Sequence, residues 1–299
     1  MNLTNKWGLP QTLMNYAMRN TYSRGNAHIS VTQLINSPRI RLLNIKHGDK
    51  IVEDLSDRLW SLIGTALHEV VQKGADNEHL AEERLFLEAN GWRVSGGIDL
   101  QRLSMGPDGL PVVAISDYKL TSAWAVMNPK TDWERQLNCY AHLVRKVKGY
   151  EVDKLSINAI IRDWNRNKAK MESGYPPAAM QVIDIPVWAP EKAEAYFNER
   201  VAIHQQAEAL DDWQQNIPPC TAEERWYRPG ELAVMKDGRK RALKLFDAGQ
   251  SVEAEAYAKE NKAAVVERPG RNVKCEDFCA VSEWCEQWQA LKPKEVGDE

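Results

Sequence analysis

Residues 92–120, WRVSGGIDLQRLSMGPDGLPVVAISDYKL, decide the fold class. Trp92–Leu103 and Leu110–Leu120 carry β-type alternation, and Met105-Gly-Pro-Asp-Gly109 between them is built from turn-forming residues. The pattern predicts a β-hairpin. With the turn centred on Asp108, its register sets Asp99 opposite Asp117. Directly opposed side chains have Cβ atoms about 4.5–5.5 Å apart. Two desolvated carboxylates at that spacing repel each other unless a cation lies between them. Alternation also puts Val113, Ile115, Asp117 and Lys119 on one face of the second strand, so an apolar face ends in an acid and an amine.

Outward from the hairpin, helices and strands alternate. Leu59, Leu62, Ile63, Ala66, Leu67, Val70 and Val71 have the spacing of an amphipathic helix closed by Gly74, with His68 on the side opposite the apolar stripe. Residues 80–89 fit either a strand or a short helix. A helix is predicted from about Thr131 to Lys148, with Gln136 and Tyr140 at i, i+4. Leu155–Trp164 and Met180–Trp188 read as further strands. Pro190 opens a long helix to about Gln215, and Ile217-Pro-Pro219 breaks it. The expected architecture is α/β, with a mixed central β-sheet flanked by helices over residues 1–215. Residues 216–299 are expected to form a small helical lobe bracketed by cysteines.

Composition narrows the class. The chain has 299 residues, 43% of them hydrophobic, and a formal net charge of -3. That hydrophobic content excludes intrinsic disorder, the aperiodic glycines exclude collagen, and no apolar run approaches the roughly 20 residues of a membrane span. Without a hydrophobic segment at Met1–Pro10, an intracellular, cytoplasmic protein is expected. The charge is unevenly placed. Before the first acid, Asp49, come Lys6, Arg19, Arg24, Arg39, Arg41 and Lys46, and two further basic stretches lie at residues 162–170 and 236–244. Each alone reads as a solvated surface; beside a site for phosphate, they become candidates for a nucleic-acid channel.

The cysteines are Cys139, Cys220, Cys275, Cys279 and Cys285. In a reducing compartment, three of them within eleven residues read as a metal site rather than a disulfide framework. Cys220, following Pro218-Pro219, is the natural fourth member, and Cys139 reads as a small buried hydrophobe. Four thiolates fit either a [4Fe–4S] cluster or zinc.

Gly64…His68, Gly97-Ile98-Asp99, Asp117-Tyr118-Lys119 and Gln136…Tyr140, in this order, resemble the RecB-like branch of the PD-(D/E)xK nuclease superfamily. The likeness covers about residues 28–145 and implies a restriction-endonuclease-like fold. It implies that His68, Asp99, Asp117 and the Tyr118 carbonyl hold Mg²⁺ or Mn²⁺. Lys119 would orient or deprotonate the attacking water, and Gln136 and Tyr140 would contact DNA or steady Lys119. Glu82 and Glu83 precede the hairpin where such nucleases often carry an acid. Cys220, Cys275, Cys279 and Cys285 resemble the iron–sulfur staple of CRISPR-associated and phage exonucleases, with zinc the alternative. The implied activity is metal-dependent DNA exonuclease action on ends or single strands. The alternatives are a catalytically silent nucleic-acid-binding scaffold working with a recombination partner protein, or a structure-specific endonuclease. Of the eleven tryptophans, most read as core and some as stacking surfaces for bases.

Overall fold

The computed structural model describes residues 2–19, 24–128, 131–210 and 216–292. The chain divides into two compact units, Met1–Pro38 with Asp49–Ala209, and Arg39–Gly48 with Leu210–Glu299. In chain order the elements to Glu208 are β1 (Asn2–Thr4), α1 (Gln11–Ala17), β2 (Ile29–Ser30), α2 (Val31–Leu34), α3 (Pro38–His47) and β3 (Val52–Asp54). Then follow α4 (Leu55–Gly74), β4 (His79–Ala89), β5 (Trp92–Met105), β6 (Pro111–Thr121), α5 (Ala123–Met127) and α6 (Thr131–Lys148). β7 (Glu151–Ile161), α7 (Arg166–Met171), β8 (Met180–Ile185) and α8 (Pro190–Glu208) complete the series. α8 ends before the predicted Gln215, and residues 211–215 lie outside the described set.

The first unit is α/β, built on a mixed six-stranded sheet in the order β2-β5-β6-β7-β8, with β4 also paired to β5. β2 runs parallel to β5 and β6 parallel to β7; β4–β5, β5–β6 and β7–β8 are antiparallel. Residues 80–89, ambiguous from sequence, belong to strand β4. The hairpin register follows the turn centre, since Leu100 pairs with Ser116 and Met105 with Pro111. On that side of β5 the ladder to β2 covers Ile29↔Val94 and Ser30↔Ser95, and the ladder to β6 begins at Leu100. Residues 96–99 fall between the two ladders. β6 continues alongside β7 to Thr121, so β5 and β6 fork where Asp99 and Asp117 stand.

Helix α6 covers the apolar side of this fork. Leu137, Tyr140, Ala141, Leu143 and Val144 join Val94, Ile98, Val113, Ile115, Leu155 and Ile157 in one buried cluster, with Phe197 and Val201 of α8 beside them. Cys139 is part of the same core, and burial pushes its thiol up to about 12. Gly96 lets α6 approach β5. A Cβ there would sit inside the Leu143 methyl and 3.0 Å from Tyr140 Cδ1.

Helix α4 departs from its expected packing. Only Leu55 is fully buried, while Ile63 and Val70 of the apolar stripe are 42% and 67% exposed. His68, expected on the outer side, is turned toward β4 and β5 instead, where it meets Glu82 and Asp99. The helix enters from Asp54, whose carboxylate caps Ser56 N–H and also accepts Lys6 N–H at 2.8 Å, joining the two-stranded β1–β3 ladder to the helix start.

The second unit corrects the expectation of a helical lobe. β9 (Tyr227–Arg228) pairs with β13 (Arg271–Asn272). β10 (Glu231–Met235), β11 (Lys244–Asp247) and β12 (Ala264–Arg268) form an antiparallel sheet in the order β11-β10-β12. Leu232, Val234 and Phe246 of that sheet pack on Ala254 and Ala258 of α9 (Ser251–Glu260). A short π-type turn at Lys274–Phe278 and α10 (Glu286–Leu291) follow. The sequence boundary also moves, because residues 39–48 belong to this unit. Leu43 of α3 is fully buried, His47 stacks on Trp284 with centroids 5.0 Å apart, and Arg39 Nη2 donates to Ile217 O at 2.8 Å. Arg39 and Arg41 are therefore buried rather than available to line a surface channel. Among the described residues, no helix is long and apolar enough to cross a membrane.

Gly96→Ala is expected to cost about 1–3 kcal/mol through overpacking against α6, measured as a lowered denaturation midpoint with an unchanged m-value. Unaltered stability would show that α6 does not press on β5 at this point.

Candidate functional site

The fork in the sheet gathers the acids. β4 and β5 pair in register on both sides of Glu82 and Asp99, with Ala81↔Leu100 before them and Glu83↔Ile98 after, and the pairing lapses between. Asp99 in turn stands one step beyond Leu100↔Ser116, the register position of Asp117. Glu82, Asp99 and Asp117 thus occupy one row across three neighbouring strands. Glu82 adopts φ 55°, in the left-handed region. A non-glycine residue held there costs on the order of 1–3 kcal/mol and persists only where its surroundings impose it. Strand alternation also resets at this row. Ile98 and Asp99 are both buried in succession, and Gln101 rather than Leu100 is the next buried residue.

The side chains converge. His68 Nδ1 lies 2.9 Å from Glu82 Oε1 and 3.5 Å from Asp99 Oδ1. One ligand atom from each of His68, Glu82 and Asp99 lies within 4.8 Å of the other two. Asp99 Oδ2 accepts Tyr118 N–H at 2.8 Å. Asp117 is buried; its Oδ2 is 2.7 Å from Lys119 Nζ and its Oδ1 accepts Gln136 Nε2 at 3.1 Å. Gln136 Nε2 also reaches the Tyr140 hydroxyl at 2.8 Å. α4 therefore supplies His68, β4 Glu82, β5 Asp99, β6 Asp117 and Lys119, and α6 the Gln136–Tyr140 pair.

The electrostatics are those of an acid-rich, partly dry site. Burial, reinforced by the Asp117 carboxylate, raises Asp99 to about 7. The hydrogen bond to Glu82 leads the interactions that raise His68, with Asp99 adding to it. Burial holds the Tyr140 hydroxyl well above the usual phenol range, so it acts as a neutral hydrogen-bonding group. Lys119 is set against Asp117, and the His68 imidazole against Glu82 and Asp99.

The expected residues divide into two groups. His68 and Asp99 come together as donors to one point, joined by Glu82, which sequence spacing did not distinguish from Glu83. Glu83 points elsewhere, to Lys148 and to Gln101 Nε2. Asp117 is engaged with Lys119 and Gln136 beside that point. Tyr118 meets the site through its N–H, which donates to Asp99. The signal for Glu82 was its register position opposite Asp99, which could be read only once 80–89 was known to be a strand.

In the second unit, Cys220, Cys275, Cys279 and Cys285 line one cavity together with Arg39, Leu43, Arg225 and Lys274. All four thiols are free of disulfides. Burial, then the neighbouring thiols Cys279, Cys220 and Cys285, pushes Cys275 up to about 11, and burial raises Cys279. Gln287 fixes the position of Cys220 by accepting its N–H at 2.7 Å and donating to its carbonyl at 2.9 Å.

No protein-family model matches the chain, and no curated protein matches it. Among solved structures, one described as "Crystal structure of SSO0001" is similar at 18% identity and a TM-score of 0.41, over 69% of this chain and 87% of that one. A likeness at that level carries no functional argument.

Without divalent cations, Asp99→Asn is expected to melt higher than the unsubstituted protein at pH 8 and level with it near pH 4. Asp99 titrates at about 7 in the folded chain and about 3.9 unfolded. The folded state therefore holds an extra proton whose stabilisation is full below about pH 4 and lost as pH rises through 7. A melting difference that does not grow across that window would show that Asp99 is not desolvated beside Asp117.

Proposed function

We propose that the protein is a metal-dependent DNA exonuclease acting through His68, Glu82, Asp99, Asp117 and Lys119. The observation that carries this reading is the row of three carboxylates across β4, β5 and β6, with an imidazole on one flank and an amine on the other. Two buried acids, Asp99 and Asp117, in one row with the exposed Glu82 at a fork in a sheet have no packing purpose, and the left-handed Glu82 adds strain. Both make sense if a cation occupies the site in the working protein.

The donor set fits a hard divalent ion. Oxygen donors around Mg²⁺ sit about 2.0–2.1 Å from it, so donors to one ion are at most about 4.2 Å apart; His68 Nδ1 lies within that limit of both Glu82 Oε1 and Asp99 Oδ1. The imidazole nitrogen tilts the preference toward Mn²⁺. When bound, such an ion polarises the scissile phosphate and lowers the pKa of bound water. The chain's own groups do the rest. Asp117 holds the Lys119 ammonium at 2.7 Å, directed at the attacking water and at the negative charge that builds up on the phosphate in the transition state. Gln136, anchored on Tyr140, fixes the other oxygen of Asp117, so the carboxylate cannot swing away from the lysine.

The cysteine cavity is proposed to hold a [4Fe–4S] cluster, with zinc the alternative. Thiols raised by burial need a bound metal to exist as thiolates. The four sulfurs do not form a group within 4.8 Å of one another, whereas a tetrahedral zinc at about 2.3 Å would draw them closer. A cluster interposes iron and sulfide between the thiolates and suits the wider spacing. Arg39, Arg225 and Lys274 at the same cavity offset its negative charge. The proposed role is mechanical, tying Cys220 to Cys275–Cys285 across the 54 residues that separate the first two. DNA is the proposed partner. Exposed cations at Arg19, Arg24, the Arg166–Met171 helix and the Lys236–Arg241 turn are offered to phosphates.

Asp117→Asn and Lys119→Ala are expected to abolish Mg²⁺- or Mn²⁺-dependent degradation of end-labelled linear DNA while leaving the circular dichroism spectrum unchanged. The unsubstituted protein should spare closed circular DNA. Retained activity in either variant removes the mechanism, and cutting of circles replaces the exonuclease by an endonuclease. In a separate test, freshly purified protein should be brown, with iron content falling in Cys275→Ala; a colourless, zinc-loaded protein would replace the cluster by zinc.

A further inference from the structure

Helix α4 carries a row of three positions spaced i, i+4, i+8: Trp60, Gly64 and His68. Such a row lies along one side of a helix. Its first and last members are about 12 Å apart at 1.5 Å per residue. Gly64 in the middle of a 20-residue helix is unfavourable by about 1 kcal/mol relative to Ala. Neither backbone nor packing demands it, because its φ is ordinary and a Cβ there would meet nothing within 4 Å. The missing side chain leaves the helix backbone bare between the imidazole and the indole.

Trp60 is 47% exposed, and the Arg162 guanidinium carbon lies 5.3 Å from its ring centroid. Arg162 follows β7, and its N–H donates to Thr121 O at the end of β6, two residues beyond Lys119. Asp163 Oδ1 accepts Ala123 N–H at 2.7 Å, which locks the turn after β7 to the start of α5. On α5, Trp124 is 57% exposed. Two exposed indoles and a guanidinium therefore stand at the carboxyl ends of the parallel strands β6 and β7, where ligands of α/β sheets bind. An indole backed by an arginine offers a stacking face for a base and a cation for its phosphate. Interior base pairs have both faces covered by their neighbours, so the occupant is an unpaired base unless it is the outermost pair of an end, which the blunt duplex tests.

We propose that Trp60, held by Arg162, stacks on an unpaired base of a strand that passes over Gly64 toward His68, Glu82 and Asp99, making the site selective for single-stranded DNA. At about 3.4 Å per stacked nucleotide, the row spans roughly three to four nucleotides from the acids. This selectivity rests on the nuclease reading and deepens it.

The test measures the affinity of 5′-labelled oligo(dT) and of a blunt duplex of equal length, with Mg²⁺ present and Asp117→Asn in every protein to stop cleavage. Adding Trp60→Ala is expected to weaken oligo(dT) binding about 5- to 100-fold, the range of one lost base–aromatic stack, and duplex binding less than twofold. Trp60→Phe should restore most of the loss, since it keeps a π face. In proteins with an intact Asp117, Trp60→Ala should raise KM for oligo(dT) and leave kcat within about twofold. Oligo(dT) affinity unchanged by Trp60→Ala, or equal losses for both DNAs, overturns the stacking role while the nuclease reading stands. Failure of the Asp117→Asn parent to bind either DNA overturns both.

Discussion

Mutual repulsion among carboxylates in a poorly hydrated fork is the constraint around which the first unit is organised. Glu82, Asp99 and Asp117 share one row, and neighbouring groups answer their charge: His68 bridges Glu82 and Asp99, the Tyr118 N–H is given to Asp99, and Lys119 and Gln136 engage Asp117. Even so, Asp99 stays raised to about 7. The protein thus holds a partly unneutralised negative site together, and the stabilisation must come from elsewhere. The source is the apolar cluster beneath it, where α6 and α8 seal the sheet from below.

That division of labour explains the shape of the sheet. β5 changes partner along its length, from β2 to β6, and the acids sit where neither ladder holds it. β4 pairs on both sides of Glu82 but not at it. Backbone groups released from a ladder are available to side chains, and Tyr118 N–H turning to Asp99 is one instance. The register sets the three acids side by side, and the interruption at Glu82 comes with a left-handed backbone there.

The second unit solves a different problem. Its sheet core is small, and the segment carrying Cys275, Cys279 and Cys285 has little regular structure beyond short turns. What unites it with Cys220 and α3 is a cavity lined by thiols and cations. The cavity sets the Cys220, Cys275, Cys279 and Cys285 thiols beside Arg39, Arg225, Lys274 and Glu224.

Local sequence determined a good deal. The hairpin register was legible because a Gly-Pro-Asp-Gly turn has few geometries and each strand has a period of two, so the adjacency of Asp99 and Asp117 followed from counting. The helix bearing Gln136 and Tyr140 was equally plain from its 3.6-residue pattern. Three things were decided only by the tertiary structure. Glu82 rather than Glu83 faces the site, because that depends on its register opposite Asp99, which exists only once residues 80–89 pair as a strand with β5. His68 faces the acids although it lies off the apolar stripe of α4, because this helix leaves part of that stripe exposed and packs its other side toward β4 and β6. Arg39 and Arg41, read as surface cations, are buried, Arg39 beside the cysteines, because charge along a chain says nothing about which segment folds over it. Periodicity reports which residues share a face; which face is covered, and by what, depends on contacts between residues far apart in the chain.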